Sequence, residues 1–169
     1  MYEKCSNSLA EHAAAVFRTM TGHCPTRVEV TSGSFNSPRH HYNLGERVNF
    51  VGQEARGAKV TGYFICAFET MAAALAFARD IASYLGLSAA DAIGEADSYV
   101  GEFLNVVIGL TCSAWADHGL RVEFFPPEKL KEHAIDRQPD AGYRFQVAIR
   151  CEGRYQATLF LYFAPDSGR

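Results

Sequence analysis

Residues 88–115 read SAADAIGEADSYVGEFLNVVIGLTCSAW, and the way this stretch winds decides the fold. Ser88 followed three residues later by Asp91 has the pattern of a capping box, which satisfies free amide groups at a helix start. At helical periodicity Ile93, Ala96, Val100, Phe103, Leu104, Val107, Thr111, Ala114 and Trp115 gather on one side. The spacing therefore predicts one long helix over 88–115 with a wide face to bury.

The other side of that helix carries Asp91, Glu95, Ser98, Glu102, Asn105, Gly109 and Ser113. Steps of three and four residues return to one helical face, so these positions form a continuous polar stripe. Glu102 and Asn105 stand at i and i+3, with Ser98 one turn earlier, so that a carboxylate and a carboxamide project side by side from a rigid rod. On spacing alone such a stripe is first of all a solvated surface. Gly109 is the exception, because it gives up about 1 kcal/mol of helix propensity relative to Ala. Close approach by another backbone or by a partner would account for that cost.

The remaining composition narrows the classes of function. One domain spanning 1–169 is expected, since 169 residues suffice for a sizeable core. A hydrophobic fraction of 48% with 21% charged residues is that of a globular chain rather than a disordered one. With 16 Lys and Arg against 19 Asp and Glu, the net charge of -3 gives no footprint for nucleic acid or an anionic membrane, so neither is expected as a partner. The first residues, MYEKCSNSLAEH, lack the apolar centre of a signal peptide, and no uninterrupted apolar run approaches membrane-spanning length. Cytoplasm is the expected compartment. Five scattered cysteines without a CxxC pair are expected to be reduced thiols.

Working outward, Ser8 and Glu11 repeat the capping-box pattern, and Leu9, Ala13, Val16, Phe17 and Met20 mark an amphipathic helix that Gly22 closes before Pro25. Arg27–Thr31 reads as a short strand and Ser32–Glu46 as a loop. Arg47–Val51 and Lys59–Phe68 read as two strands joined around Ala55, Arg56 and Gly57. A helix is expected from Thr70, with Met71, Ala74, Leu75, Ala78, Ala82 and Leu85 on its buried face and Gly86 at its end. Beyond the long helix, Leu120–Phe125 reads as a strand ended by Pro126 and Pro127, Glu128–Ile135 as a short helix, and Asp136–Gly142 as a turn. Tyr143–Arg150 alternates as a strand with one wet face. The last strand, Tyr155–Phe163, is apolar on both sides, which fits the middle of a sheet or a subunit interface.

Taken together, the chain resembles the CheC/CheX/FliY family of chemotaxis phosphatases, and CheX most closely within it. The likeness is carried by Ser98, Glu102 and Asn105, which match the family pattern of Asp or Ser, three residues, Glu, two residues, Asn, and by the run from Gly101 to Gly109, similar to the family's GExxNxxxG segment. SLAEHAAAVFRTMTG resembles the family's first helix and GAKVTGYFICAFETMAAALA its strand-then-helix passage. Pro126 or Pro127 fills the place of a family proline, at a slightly short distance from Asn105, and the region around His40 has no counterpart. The resemblance implies an α+β class with a CheC-like fold: a mostly antiparallel sheet packed with three main helices, the longest carrying the site.

It also implies a substrate that is a protein, the phosphorylated aspartate of a CheY-like receiver domain. Asn105 would orient the attacking water, Glu102 would pair with the receiver's active-site lysine, and Ser98, Gly109 and Glu95 would line the contact. No cofactor would be bound by this chain; the Mg2+ would belong to the receiver, and the chain would be a homodimer. The competing class is a module of the same fold that binds a receiver or a flagellar switch component without catalysis. A metal site is not expected, because the adjacent pairs His40–His41 and His23–Cys24 lack the spacing of two ligands on one helical face. No glycine-rich phosphate loop and no GxSxG elbow occurs, and Cys112 reads as a structural thiol.

Overall fold

In a computed structural model of the chain, residues 1–33, 44–129 and 142–165 are described below. In chain order they form α1 (Tyr2–Thr21), β1 (Arg27–Ser32), β2 (Leu44–Glu54), β3 (Lys59–Phe68), α2 (Met71–Tyr84), α3 (Ala89–Gly94), α4 (Ala96–Asp117), β4 (Leu120–Phe124), β5 (Glu128–Lys129), β6 (Tyr143–Cys151) and β7 (Tyr155–Pro165). Among the described residues the strands form one sheet in the order β1-β6-β7-β3-β2-β4, with β5 also pairing to β2. Every pairing is antiparallel, giving the α+β architecture expected.

The doubly apolar last strand is explained by this order. β7 lies between β6 and β3, so it is an interior strand, and both its faces are buried. On the side facing the helices Ala157, Leu159, Leu161 and Phe163 join Phe50, Phe64, Phe77 and Trp115 in the main core. On the other side Phe160 and Tyr162 cluster with Tyr63, Ile65 and Ala67. Trp115 anchors α4 at the centre: its ring stacks on Phe64 at 5.2 Å between centroids, and its Nε1–H donates to the Cys5 carbonyl of α1 at 2.9 Å. A buried indole with its donor satisfied binds a helix strongly to a sheet.

Several expectations change. The long helix is two helices, because the chain breaks after Gly94 and Glu95 caps the second with no side-chain bond. α3 does begin directly after Ser88, while the Asp91 side chain lies outside the described residues. The break puts the two pieces out of phase, so Ile93 is 52% exposed and Ala92 is buried in its stead. Ser8 is no cap: α1 starts six residues earlier, and Ser8 is a buried mid-helix residue sharing a hydrogen with His12 Nδ1 at 3.3 Å. At the other end Gly22 closes α1 with φ 72°, a left-handed conformation that glycine adopts without strain.

α2 begins where expected, and Thr70 caps it, its Oγ1 accepting from the Ala73 amide at 3.1 Å. Its buried face is rotated, with Phe77 and Ile81 inside and Met71 and Leu85 exposed. Glu128 and Lys129 form a strand with β2 rather than starting a helix; 130–141, with most of the expected turn, lie outside the described residues. So does 34–43, including the His40–His41 pair; Leu44–Glu46 of the expected loop belong to β2. Finally, α4 is by length and composition apolar enough to cross a membrane, although Glu102 and Asn105 interrupt its apolar run. In this fold half of its most apolar window is buried against the rest of the chain.

Candidate functional site

The site is built on one side of α4. Val100, Phe103, Leu104, Val107, Ile108, Thr111 and Trp115 are buried and fix the helix against α1 and the sheet. That packing leaves the opposite side in solvent, where Glu95, Ser98, Glu102, Asn105, Gly109 and Ser113 are all exposed. From Ser98 to Ser113 the stripe read from the sequence is thus one exposed surface, whereas Glu95 stands at the break and the Asp91 side chain lies outside the described residues. Among the described residues, neither the Glu102 carboxylate nor the Asn105 carboxamide has a hydrogen-bond or ion-pair partner. Both are therefore available to a group from outside, held on a helix whose other face is immobilised by core packing.

Two explanations are open for Gly109, another backbone of the chain or a partner. A Cβ placed there would meet nothing within 4 Å, so among the described residues no backbone explains the glycine. The close approach occurs two turns earlier, at Gly101, where a Cβ would run into the Glu46 carboxylate. Glu46 comes from β2, which pairs with β5 so that Glu46 and Lys129 are directly opposed. Lys129 in turn pairs with Asp97, one turn before Gly101. Burial, and secondly the Asp97 carboxylate, hold the Glu46 carboxyl above its usual pKa, while Lys129 pulls the other way. A mixed cluster of Glu46, Asp97 and Lys129 thus walls the Asn105 side of the stripe. Sequence reading missed it because Glu46 is remote along the chain and Lys129 was assigned to a helix; the one local signal was a second helical glycine directly before Glu102.

The expected prolines, Pro126 and Pro127, are exposed between β4 and β5 and lead directly into Lys129. Burial pushes the thiol of Cys112 well up, which disfavours the thiolate that a nucleophile needs. His23 pairs with Asp80 at 3.5 Å, Cys24 is exposed, and among the described residues no three His, Cys, Asp or Glu side chains converge as a metal site would need. Among the described residues, clefts of about 480 and 440 Å3 lie at the N-terminus of α1 against β6 and at the β2–β3 turn, and no residue of the stripe lines either.

The comparison with solved structures shows that this antiparallel sheet with helices packed on one face is the CheC-like fold. It superposes on the chemotaxis protein CheX from Vibrio vulnificus with a TM-score of 0.72 and 18% identity, covering 95% of this chain and 99% of that one. A CheC-like superfamily protein from Shewanella sp. PV-4 matches with the same score and identity over 94% and 96% of the two chains. A CheX–CheY–BeF3–Mg2+ complex from Borrelia burgdorferi matches at a TM-score of 0.67 and 13% identity, over 93% and 96%. No family model matches the sequence, and no curated protein matches it.

Proposed function

We propose that this chain is a phosphatase for the phosphoaspartate of a CheY-like response regulator, in the cytoplasm where such receivers work. The observation that carries the reading is the exposed, unpartnered Glu102 and Asn105 on a helix fixed by its buried face. An acyl phosphate is hydrolysed when a water oxygen attacks phosphorus in line with the leaving carboxylate; the P–O bond to aspartate breaks, and phosphate departs. Most of the help such a reaction needs is positioning and electrostatics. A carboxamide both donates and accepts, so Asn105 holds the water in orientation without acting as a base. Glu102 docks the receiver by pairing with its active-site lysine, and Ser98, Glu95 and Gly109 lie under the contact. Mg2+ belongs to the receiver, and this chain supplies none of its ligands.

The test is phosphate release from a panel of phosphorylated receivers. The unaltered chain should accelerate it for one of them, and Asn105→Ala should lose about a hundredfold or more of that acceleration. Equal rates for the two proteins would overturn the assignment. A chain that captures the receiver but never speeds its hydrolysis would be the non-catalytic binding module instead.

The same reading implies a homodimer. β7 no longer supports this, being interior, but β1 does: it is an edge strand among those described, and its Val28 and Val30 are 38% and 37% exposed. An unpaired edge with apolar side chains is a surface that a second copy covers. Light scattering at micromolar concentration should read two copies, and a monomer would overturn it.

A further inference from the structure

The exposed face of α4 is not uniformly polar. Val106 and Leu110 stand at i and i+4, so they meet on the helix surface, and they are 36% and 48% exposed. Val106 is one turn beyond Glu102, roughly 40° round the helix from it, and Leu110 directly follows Gly109. The apolar pair therefore adjoins Glu102 on the side away from Asn105. Opposite it stands the wall of Glu46, Asp97 and Lys129. Between the two runs a low floor, because a Cβ at Gly109 would find no atom within 4 Å and the glycine itself fills none of that space.

Two exposed polar side chains contribute little net affinity in water, since each trades bonds to water for bonds to a partner and pays ordering entropy. A transient protein contact takes its stability from an apolar centre with a polar rim. We infer that Val106 and Leu110 are the apolar anchor by which the receiver domain binds, with Gly109 letting its backbone approach; this rests on the reading given above. The division of labour is then spatial. Val106 and Leu110 hold the receiver, Glu102 sets its register, and Asn105 acts on the bound phosphoryl group.

The occupant is the receiver because the pair is continuous with the Glu102–Asn105 face on one straight helix. From Ser98 to Ser113 that face runs about 22 Å, enough for the side of a standard interface. A protein that engages Glu102 as well as Asn105 reaches Val106, which stands one turn from Glu102.

The experiment uses the full chain and the receiver whose hydrolysis it accelerates, loaded with Mg2+ and beryllofluoride for binding and with phosphate for turnover. Alanine at both sites (Val106→Ala with Leu110→Ala) keeps the helix, since alanine is the best helix former and neither residue is core. The double variant should weaken binding by about tenfold or more, with KM rising in step and kcat within about twofold of the parent. Asn105→Ala should do the reverse, binding within about twofold while kcat collapses. Binding by the double variant within about twofold of the parent overturns the inference. Loss of self-association, or of sedimentation with anionic vesicles, with receiver binding intact overturns it too, assigning the pair to a second copy or to a membrane. If Asn105→Ala keeps full turnover, the catalytic reading fails instead, and the binding result on Val106 and Leu110 is still read by itself.

Discussion

At Gly101 a missing methyl group decides how β2 meets α4. The Glu46 carboxylate occupies the space a Cβ would take, and that places an acid beside Asp97 in partly dehydrated surroundings. Its pKa is raised, chiefly by burial, so the folded chain holds the Glu46 proton more tightly than the unfolded chain does. Stability from this group is then greatest when it is protonated and is lost as pH rises through its folded pKa. Glu46→Gln keeps the shape and removes the charge. The Gln variant should gain in urea midpoint over the parent as pH is raised from about 4, near the ordinary glutamate value, towards neutrality. A gap that is constant or shrinks over that range would show that Lys129 compensates the charge in full. The residues of the site itself were easier to read than this support. Ser98, Glu102 and Asn105 are spaced by the helix alone, whereas Glu46 reaches α4 only through the β2 ladder, which no local pattern reports.

At the scale of elements, sequence periodicity placed α1, α2, α4 and most strands but ran α3 into α4 and read β5 as a helix start, and it set other ends and phases wrongly where a distant contact overrides a local signal. α1 begins at Tyr2, not at the capping pattern of Ser8, because the Tyr2 ring packs 4.6 Å from both Tyr143 and Phe163 and its hydroxyl donates to Glu54 at 2.5 Å. Burying an aromatic ring with its hydroxyl satisfied outweighs a cap worth about 1 kcal/mol. α2 turns its Phe77 rather than Met71 inward because the Phe77 ring meets Phe17, Phe68, Phe103 and Tyr155, a set assembled from four other elements. The break between α3 and α4 had a local cause in Gly94, which the continuous periodicity on either side concealed. Where helical spacing alone sets the pattern, as along α4 from Ala96 onward, every position read from the sequence as buried is buried in the structure except Ala114.

For the whole molecule, the sheet order β1-β6-β7-β3 joins the first strand to the last two, so the chain's beginning and end must be fixed to one another. Nothing in local sequence announces such a closure, and β7 could be read only as a strand needing cover on both faces. Part of the closure is polar. Asp80 of α2, with its side chain 12% exposed, accepts from Arg154 at 2.8 Å and from the Tyr155 hydroxyl at 2.7 Å, and stands 3.5 Å from His23 after α1. One carboxylate thus ties the end of α1, the middle of α2 and the β6–β7 turn. Asparagine in its place keeps one acceptor oxygen where Arg154 and Tyr155 use both, sets an NH2 donor against the other donor and removes the charge, whereas removing Arg154, which is 42% exposed, leaves Asp80 two partners and open water. Asp80→Asn should therefore cost about 1–3 kcal/mol, and Arg154→Ala distinctly less, measured by urea unfolding of each variant. No partner of Asp80 lies on α4, so hydrolysis by the folded Asp80→Asn protein should proceed at the parent rate. An equal cost for the two substitutions would mean that the arginine alone supplies the tie.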